Sequence, residues 1–521
     1  MHLSALDIVV IFVYVSAMLA LAQFASKDSL SKEDQDYGPK RRALPWWAIG
    51  TSLIAANISA EQIIGMSGSA YAFGLAVAAY ELMAAATLLV VGKFLLPVFL
   101  HNQIYTMPEF LRRRFGRRLQ LVMAASWIGV YVFVALTAIL WLGATAVHAV
   151  TGLTLEVSLI LLGLFAGNYA LYMGSKTNAW ADVVQVSMLG LGGLVILGMA
   201  LERISGSGGI SGLLHGFSIL TARAPEHFHL ILTSDNPYYK YVPGLSVLIG
   251  GMWIINIAYW GFNQNIIQRA LSAKSIREVQ NGVVLAAFLK LLMPVLVVLP
   301  GIAGFVLLPH LSRPDEAYPT LMTLLPSGLL GLVFIALVAA IIASMRSTLL
   351  SIGTIFAVDI FKAVDKKTTD RQLVIAGRLA SIAALFAAMV AAEPLLGHFD
   401  QAFQYIQEYN GFLTPGVVVV FLLGIFWSRT TEAGALAAAI GSPLASLICA
   451  LFFPQIPFMN RIGYVFLIGL ALAVGVSLLK KSQVQYSTID VTHVDYATGR
   501  TFNVAALTVI GALVALYAIW W

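Results

Sequence analysis

Residues 55–62 read Ala-Ala-Asn-Ile-Ser-Ala-Glu-Gln, and they interrupt a hydrophobic stretch that begins at Trp46. Glycines follow at Gly65, Gly68 and Gly74. Irregular, polar backbone at membrane depth is tolerated only where it is buried in protein or lines a cavity. The stretch therefore predicts a membrane helix that is broken near its middle and faces a polar cavity.

A second stretch of this kind occurs later in the chain. It contains Gly250 and Gly251, followed by Asn256, Tyr259, Trp260, Gly261, Asn263 and Gln264. Two interrupted spans that lie five spans apart are typical of an inverted repeat whose broken helices supply a binding site at the midplane. The alternative is that the small residues only pack helices together. Packing does not require the adjacent Glu61 and Gln62, so we favour the inverted repeat.

Composition indicates that the chain is embedded in a membrane. Of its 521 residues 59% are hydrophobic and 11% are charged, whereas about 25% are charged in soluble domains. A bilayer requires about 20 apolar residues per helix, which divides the chain into about fourteen candidate spans. The first, from about Leu6 to Ala25, lacks the flanks of a signal peptide, so we expect it to be retained. We predict an all-α polytopic membrane protein.

The distribution of basic residues predicts the orientation. If the first loop is cytoplasmic, the loops on its side hold 23 Lys and Arg residues, and the opposite loops hold five. The clusters are Lys40–Arg42, Arg112–Arg114, Arg117–Arg118, Lys366–Lys367 and Lys480–Lys481. The positive-inside rule then places both termini outside the cytoplasm of a bacterial inner membrane. The net charge of +6 thus reflects membrane orientation rather than nucleic-acid binding.

The loops and motifs disfavour other classes of membrane protein. No loop is long enough for the output domain that a sensor needs. No His pair, nucleophile elbow or carboxylate-rich metal cluster occurs at the spacing of an enzyme motif. The single cysteine, Cys449, lies in an apolar run and predicts neither a disulfide nor a thiol metal site.

Several other polar side chains fall at membrane depth. They are Glu81, Lys290, Gln404, Gln407 and Glu408. A charge at the centre of a span costs about 2.5–3.5 kcal/mol on insertion scales, so each needs a partner or a function. A structural ion pair between Glu81 and Lys290 is the simpler interpretation. Taken together, the amides, one acid and one base suit a neutral polyhydroxylated ligand, whose ring Tyr80, Tyr259 or Trp260 can cover.

Four motifs carry a resemblance to a known family. They are Ala55–Gln62, Tyr259–Gln264, Ile267–Arg269 and Gln404–Tyr409. They resemble the sodium/solute symporter family, in particular its bacterial members that carry galactose or glucose, and the resemblance extends over nearly the whole chain. It implies a leucine-transporter-like fold with a five-plus-five inverted repeat and transport by alternating access. The expected parts are residues 1–44 with an extra first span, repeats 45–202 and 241–453, and two final spans in 454–521.

The resemblance also implies site residues. The substrate positions would be Gln62, Glu81, Asn256, Lys290 and Gln407. The gates would be Tyr259 braced by Asn57 on the inner side, and Met66, Tyr80 and Phe403 on the outer side. One position departs from the family, because a galactose-carrying member has a serine where this chain has Ala84. The resemblance therefore implies a galactose- or glucose-like hexose, with myo-inositol or another small polar solute remaining open.

The sodium site implied by the resemblance departs further. Its positions map to Ala55, Ile58, Ala340, Ala343 and Ser344, with Asp182 on the ion path. Ala343 replaces a serine and offers no side-chain oxygen, and Arg346 follows where the family has a small residue. Three possibilities stay open: sodium binds through carbonyls, Ser344 and a water; the Arg346 guanidinium replaces the cation, paired with Asp182; or Arg346 extends toward the cytoplasm. Sodium is the only cofactor that the resemblance implies, and proton coupling is a further alternative.

Overall fold

The computed structural model describes residues 3–28, 45–104, 106–173, 179–271, 275–364, 368–479 and 489–521. Within these ranges it leaves aside the side chains of residues 18–28, 168–173, 179–184, 186, 265 and 364. The predicted basic clusters Lys40–Arg42, Lys366–Lys367 and Lys480–Lys481 lie outside the described residues. Throughout the described part the regular structure is helical.

The helices of the first half run from α1 to α11. They are α1 (Ala5–Asp28), α2 (Trp46–Asn57), α3 (Met66–Phe73), α4 (Ala79–Val90), α5 (Leu96–His101), α6 (Met107–Arg114), α7 (Arg117–Val130), α8 (Thr137–Thr151), α9 (Leu155–Met173), α10 (Ala179–Ser205) and α11 (Gly209–Arg223).

The helices of the second half run from α12 to α24. They are α12 (Ser246–Ile249), α13 (Gly251–Phe262), α14 (Gln264–Ala270), α15 (Ile276–Met293), α16 (Leu299–Leu307), α17 (Ala317–Met322), α18 (Leu329–Thr354), α19 (Lys362–Val364), α20 (Asp370–Leu396), α21 (Ala402–Phe426), α22 (Glu432–Phe452), α23 (Phe458–Leu479) and α24 (Arg500–Ile519).

Several spans consist of two α-helices that a π-helical turn joins into one continuous helical run. Such turns lie at Val91–Leu95, Tyr131–Leu136, Pro294–Val298 and Ile355–Phe361. Ten continuous helical runs in the described part are long and apolar enough to cross a membrane, and the stretches Ala5–Ala17 of α1 and Leu155–Gly167 of α9 are also apolar. The predicted all-α membrane class is confirmed, whereas the number of about fourteen spans stays a prediction.

The first predicted break is present in the structure. Helix α2 ends at Asn57, and Ile58 is extended with φ −69° and ψ 110°. The chain becomes helical again at Glu61 in a π-helical turn that leads into α3. The backbone groups around Ile58 are therefore released from the helical hydrogen-bond ladder.

The second interruption has two parts. Gly250 separates α12 from α13, and Asn263 is extended, with φ −79° and ψ 124°, between α13 and α14. Asn256 and Tyr259 therefore lie within a continuous helix, and the break follows them. Helix α14 packs against α2, so the inner parts of the two broken spans are neighbours.

Glycines bring the first broken span against α15. A Cβ at Gly50 would lie 2.6 Å from the Gly282 carbonyl oxygen, and a Cβ at Gly282 would lie 2.8 Å from that of Trp46. Only glycine allows two helix backbones to approach this closely. The contact places Asn57, at the end of α2, beside the α15 residue Lys290.

The first span, α1, is fixed to the start of α18. Asp7 is 1% exposed, and one of its carboxylate oxygens accepts the backbone N–H groups of Gly328 at 2.7 Å and Gly331 at 2.8 Å. Gly328 has φ +88° and no side chain with which to cap α18. A carboxylate from another helix therefore satisfies the N–H groups at the start of α18.

Candidate functional site

An ion pair lies at the centre of the bundle. Glu81 of α4 and Lys290 of α15 are 2% and 1% exposed, and the Lys290 Nζ lies 2.6 Å from the Glu81 Oε2. Removing two charges from water costs several kcal/mol each unless they are paired and hydrogen-bonded. The pair that the sequence suggested as the simpler interpretation is therefore present.

Two amides extend the pair across the first broken helix. Gln62 Nε2 donates to the other carboxylate oxygen of Glu81. The Lys290 ammonium also donates to the Asn57 Oδ1, and Asn57 Nδ2 donates to the Tyr259 hydroxyl at 3.2 Å. We call Asn57, Gln62, Glu81, Lys290 and Tyr259 the polar network. It joins both broken helices to α4 and α15.

Aromatic rings form one wall of the polar network. The Lys290 Nζ lies 5.3 Å from the centre of the Trp260 ring, a distance at which a cation is attracted by the ring face. Tyr259 and Trp260 meet edge to face, with ring centres 5.0 Å apart and planes inclined by 76°. The network thus combines hydrogen-bonding groups with flat apolar surfaces.

The two ends of the site differ in exposure. On one side Met66, Tyr80 and Phe403 are buried, and the Tyr80 and Phe403 rings meet edge to face at 5.0 Å. We call these three residues the outer gate. On the other side Asn57 and Tyr259 are partly exposed. The residues predicted as the outer gate are therefore more fully buried than Asn57 and Tyr259, the predicted inner gate.

Two predicted substrate residues lie apart from the polar network. The Asn256 amide nitrogen donates to the Met252 carbonyl one turn earlier, at 3.0 Å, so it is engaged by its own helix. Gln407 lies on α21 one turn after Phe403 and is partly exposed. Within the described residues, the recorded hydrogen bonds do not connect either amide to Glu81 or Lys290.

The predicted ion-site residues are divided between two helices. Ala55 and Ile58 lie at the end of α2, and Ala340, Ala343 and Ser344 lie on α18. Ser344 is partly exposed, and its carbonyl accepts the Thr348 hydroxyl at 3.0 Å. Arg346 is 6% exposed. Asp182 belongs to α10, but its side chain lies outside the described part.

Some contacts of the site were missed by the sequence argument. The position of Trp260 beside the ammonium was not foreseen, nor was the hydrogen bond from Lys290 to Asn57. Both contacts join residues on helices that are not consecutive in the chain. In the sequence they are indicated only by polar and aromatic side chains at membrane depth. A buried Lys beside a broken helix needs an acceptor in addition to its counter-ion, which is the argument that would have found Asn57.

Comparison with known proteins gives a consistent set of similarities. A model described as the sodium:solute symporter family matches residues 40–441. The chain is 44% identical over 540 aligned residues to a protein of Vibrio parahaemolyticus named sodium/glucose cotransporter, with 100% of this chain and 99% of that protein covered. It is 31% identical over 478 residues to the sodium/myo-inositol cotransporter 2 of Mus musculus, with 85% and 69% covered.

The fold also has a solved counterpart. A sodium-coupled sialic acid symporter, solved in a substrate-bound outward-open state, superposes with a TM-score of 0.75 at 23% sequence identity. The superposition covers 92% of this chain and 99% of that one. At this identity the similarity supports a shared fold rather than a shared substrate.

Proposed function

Because this chain belongs to the sodium:solute symporter family, we propose that it carries a galactose- or glucose-like hexose across the membrane by alternating access, in symport with sodium. The observation that carries the choice of substrate is the polar network, which holds one acid, one base and two amides beside aromatic rings. The name of the Vibrio parahaemolyticus relative supports the same choice. Transport of myo-inositol, named for the Mus musculus relative, is the alternative within this class.

A neutral polyol suits the polar network better than a charged solute does. Glu81 and Lys290 neutralise one another, so a ligand without charge leaves their balance intact. Sugar hydroxyls both donate and accept, and they can bind the carboxylate, the ammonium and the Gln62 amide. A substrate carboxylate would instead meet the Glu81 charge at close range, which is unfavourable in a buried site. Asn256 and Gln407 remain proposed substrate residues, and a bound sugar would have to form hydrogen bonds with their amides.

The proposed transport cycle uses the two ends of the site. Met66, Tyr80 and Phe403 separate to admit a sugar from the outer side and then pack together again, as they are packed here. The opposite end opens when Tyr259 moves away from Asn57 and Lys290. Under the predicted orientation that end faces the cytoplasm, both termini face the periplasm, and the protein lies in a bacterial inner membrane.

The proposed sodium site uses oxygen atoms of the first broken helix and of α18. Carbonyl groups of Ala55, Ile58 and Ala340 and the Ser344 hydroxyl are the ligands, with a water in place of the oxygen that Ala343 lacks. The alternative is that the largely buried Arg346 supplies the positive charge and makes transport independent of sodium. In that case the guanidinium would replace the ion electrostatically, with Asp182 as its proposed partner.

Uptake into proteoliposomes tests the proposed function. The purified protein is reconstituted, and the uptake of labelled galactose, glucose and myo-inositol is measured with an inward sodium gradient or with matched potassium. Accumulation of a hexose that requires sodium is expected. Preferred accumulation of myo-inositol would replace the hexose assignment, and equal hexose uptake in both buffers would favour the Arg346 alternative.

We expect Ala343→Ser to increase the apparent affinity for sodium. The added hydroxyl supplies a further oxygen ligand, and one ordinary ligand contact of about 1 kcal/mol corresponds to about a fivefold lower half-saturating sodium concentration. The measurement is the sodium dependence of initial hexose uptake, with Ser347→Ala, an exposed position on the same helix, as the control. An unchanged sodium dependence would contradict the proposed role of this position.

Uptake by Arg346→Ala in sodium-free buffer tests the alternative. If the Arg346 guanidinium replaces the sodium ion, this variant loses sodium-free uptake, because only then does that uptake depend on Arg346.

We expect Tyr259→Phe to slow transport without unfolding the protein. The change removes only the hydroxyl that accepts the Asn57 amide at 3.2 Å. Loss of one hydrogen bond of about 1 kcal/mol predicts about a fivefold lower initial uptake. Tyr464→Phe, on the exposed surface of α23, is the matched control and should leave uptake unchanged. Equal rates for Tyr259→Phe and the parent would show that the brace does not contribute to the inner gate.

A further inference from the structure

A buried carboxylate lies behind the outer gate and takes no part in the polar network. Asp315 is 2% exposed in a single helical turn at Pro314–Glu316, in the segment between α16 and α18. One of its oxygens accepts the backbone N–H of Ala402 at 2.8 Å, at the first residue of α21. The other oxygen, Oδ1, has no hydrogen-bond partner. An ionised carboxylate in this position would leave a charged oxygen buried without a donor, which is costly.

Asp315 is held between the two elements that close the outer gate. Helix α3 begins with the gate residue Met66, and a Cβ at Gly68 would overlap the Asp315 carboxylate, so the α3 backbone lies directly against it. Helix α21 carries the gate residue Phe403, and its first backbone N–H, that of Ala402, donates to the Asp315 carboxylate. Separation of α3 from α21 would therefore uncover the carboxylate. Its burial is a property of the closed gate.

The neighbouring amides offer acceptors rather than donors to the free oxygen. Gln401 and Gln404, at the start of α21, are 3% and 1% exposed, and the side-chain oxygen of each has no hydrogen-bond partner. The Gln404 amide nitrogen donates to the Ser69 hydroxyl at 3.4 Å. A protonated carboxyl can donate where an ionised one cannot. A proton on Asp315 would thus supply a donor to a region in which two amide oxygens lack one, although one donor nearby, the Arg313 Nη1, also has no hydrogen-bond partner.

We propose that Asp315 is a proton-binding site of the outer gate, which holds a proton while α3 and α21 are closed around it and returns the proton to the outside water when they separate. The ligand is a proton exchanged with hydronium, so no other reactant is needed. The site is independent of the solute that the polar network carries.

The electrostatic surroundings agree with this assignment. Burial raises the pKa of the Asp315 carboxyl to about 7, with Glu316 and Asp400 acting in the same direction and the Ala402 N–H and Arg313 opposing them. The Arg313 guanidinium donates to the Gly397 carbonyl at 3.0 Å and lies over the Trp141 ring. The other titratable groups on the elements packed against this turn are Glu61, Tyr71, His148 and Tyr318, together with Tyr405, Glu408 and Tyr409 of α21.

The sign of the pH effect follows from the two states of the gate. In the closed state the pKa is raised, whereas an open, hydrated gate returns it toward the ordinary value near 3.8. The closed state is therefore stabilised below about pH 7, and that stabilisation is lost as the pH rises through 7. These values predict about a thirtyfold larger ratio of closed to open gate at about pH 5.5 than at about pH 8.5.

Distance measurements between two spin labels by double electron–electron resonance test the proposal. They are made without sugar or sodium, so the result does not depend on the proposed transport function. Spin labels are placed at the partly exposed Ala72, near the end of α3, and at the exposed His398, four residues before α21, in a Cys449→Ser background, and distance distributions are recorded at both pH values in reconstituted protein. The parent should shift toward the closed population at the lower pH. Asp315→Asn, which resembles the protonated form, should stay closed at both. Glu393→Gln removes an exposed acid on α20 that does not act on the Asp315 carboxyl, and it should keep the shift of the parent.

A second variant keeps the proposal testable if Asp315→Asn does not fold. Asp315→Ser retains an oxygen that can accept the Ala402 N–H but cannot titrate in this range, and it should also lose the pH shift. The proposal is overturned if the parent shows the same distances at both pH values. It is equally overturned if the pH shift of the parent persists in Asp315→Asn or in Asp315→Ser.

Discussion

We expect Glu81→Gln to abolish hexose uptake and to destabilise the protein by about 3–5 kcal/mol, because breaking a buried ion pair leaves the other charge unpaired. The Lys290 ammonium is 1% exposed and would lose its counter-ion, because the glutamine amide offers one neutral carbonyl oxygen in place of a carboxylate, and the Asn57 oxygen and the Trp260 ring are neutral as well. The Gln62 amide would lose its carboxylate acceptor at the same time. Initial uptake in proteoliposomes and thermal unfolding in detergent measure the two losses.

The double variant Glu81→Gln with Lys290→Met separates binding from structure. It removes both charges, and neutral residues of similar volume often restore the stability of a buried pair. We expect the unfolding temperature to return close to that of the parent while uptake stays at the background level. Glu393→Gln, an exposed acid on α20, is the control for the loss of one negative charge. Recovery of uptake in the double variant would show that the pair is only structural and would remove it from the proposed sugar site.

We expect Arg114→Ala to cause the second large loss, this time at the predicted cytoplasmic end of α21. The side chain is 4% exposed, and its guanidinium donates to four backbone carbonyls. The acceptors are Gly424, Trp427, Ser428 and Thr430, at 2.9–3.2 Å. Truncation would remove this donor from the buried carbonyls of Gly424 and Thr430, at a cost of about 1–3 kcal/mol for each one that water cannot reach.

The adjacent Arg113 provides a matched control. It is exposed and pairs with Glu109 at 2.5 Å on the surface of the same helix, where such pairs contribute about 0.3–0.5 kcal/mol. Thermal unfolding and expression yield of Arg113→Ala should therefore be near those of the parent, whereas Arg114→Ala should unfold at a much lower temperature. Arg114→Lys should give an intermediate value, since an ammonium cannot reach all four carbonyls. Equal stability of Arg113→Ala and Arg114→Ala would contradict the capping role.

The polar residues at membrane depth were the most informative part of the sequence. The run Ala55–Gln62 predicted the break that the structure places at Ile58. Glu81 and Lys290 were predicted to need partners because a lone charge is costly in a membrane, and they are each other's partner. The second predicted stretch leaves the helical conformation at Gly250 and Asn263 while Asn256 stays helical, since polarity alone does not show which residue leaves the helix.

Contacts with distant backbone groups could not be predicted. Arg114 was interpreted only as one positive charge in a cytoplasmic cluster, but its partners are carbonyls in the last turn of α21 and just after it, more than 300 residues along the chain. Asp315 gave no signal in the sequence, because its burial depends on how α3 and α21 meet. Side-chain chemistry is readable from the sequence, whereas free backbone donors and acceptors appear only when the helix ends are located.

The cap that α1 provides for α18 constrains the order of biogenesis. Asp7 and Gly328 are separated by 321 positions, so the ribosome must synthesise most of the chain before the carboxylate meets its N–H donors. Until then, of the donors described here, only Ser4 binds the Asp7 carboxylate of α1. Insertion of α1 deep in the bilayer is therefore unfavourable at that stage, because a poorly paired charge is costly there. Helix α1 is thus translated long before α18 but is among the last helices to be fixed in place. An N-terminal fusion that holds Asp7 back would therefore leave a nearly complete transporter with the start of α18 uncapped.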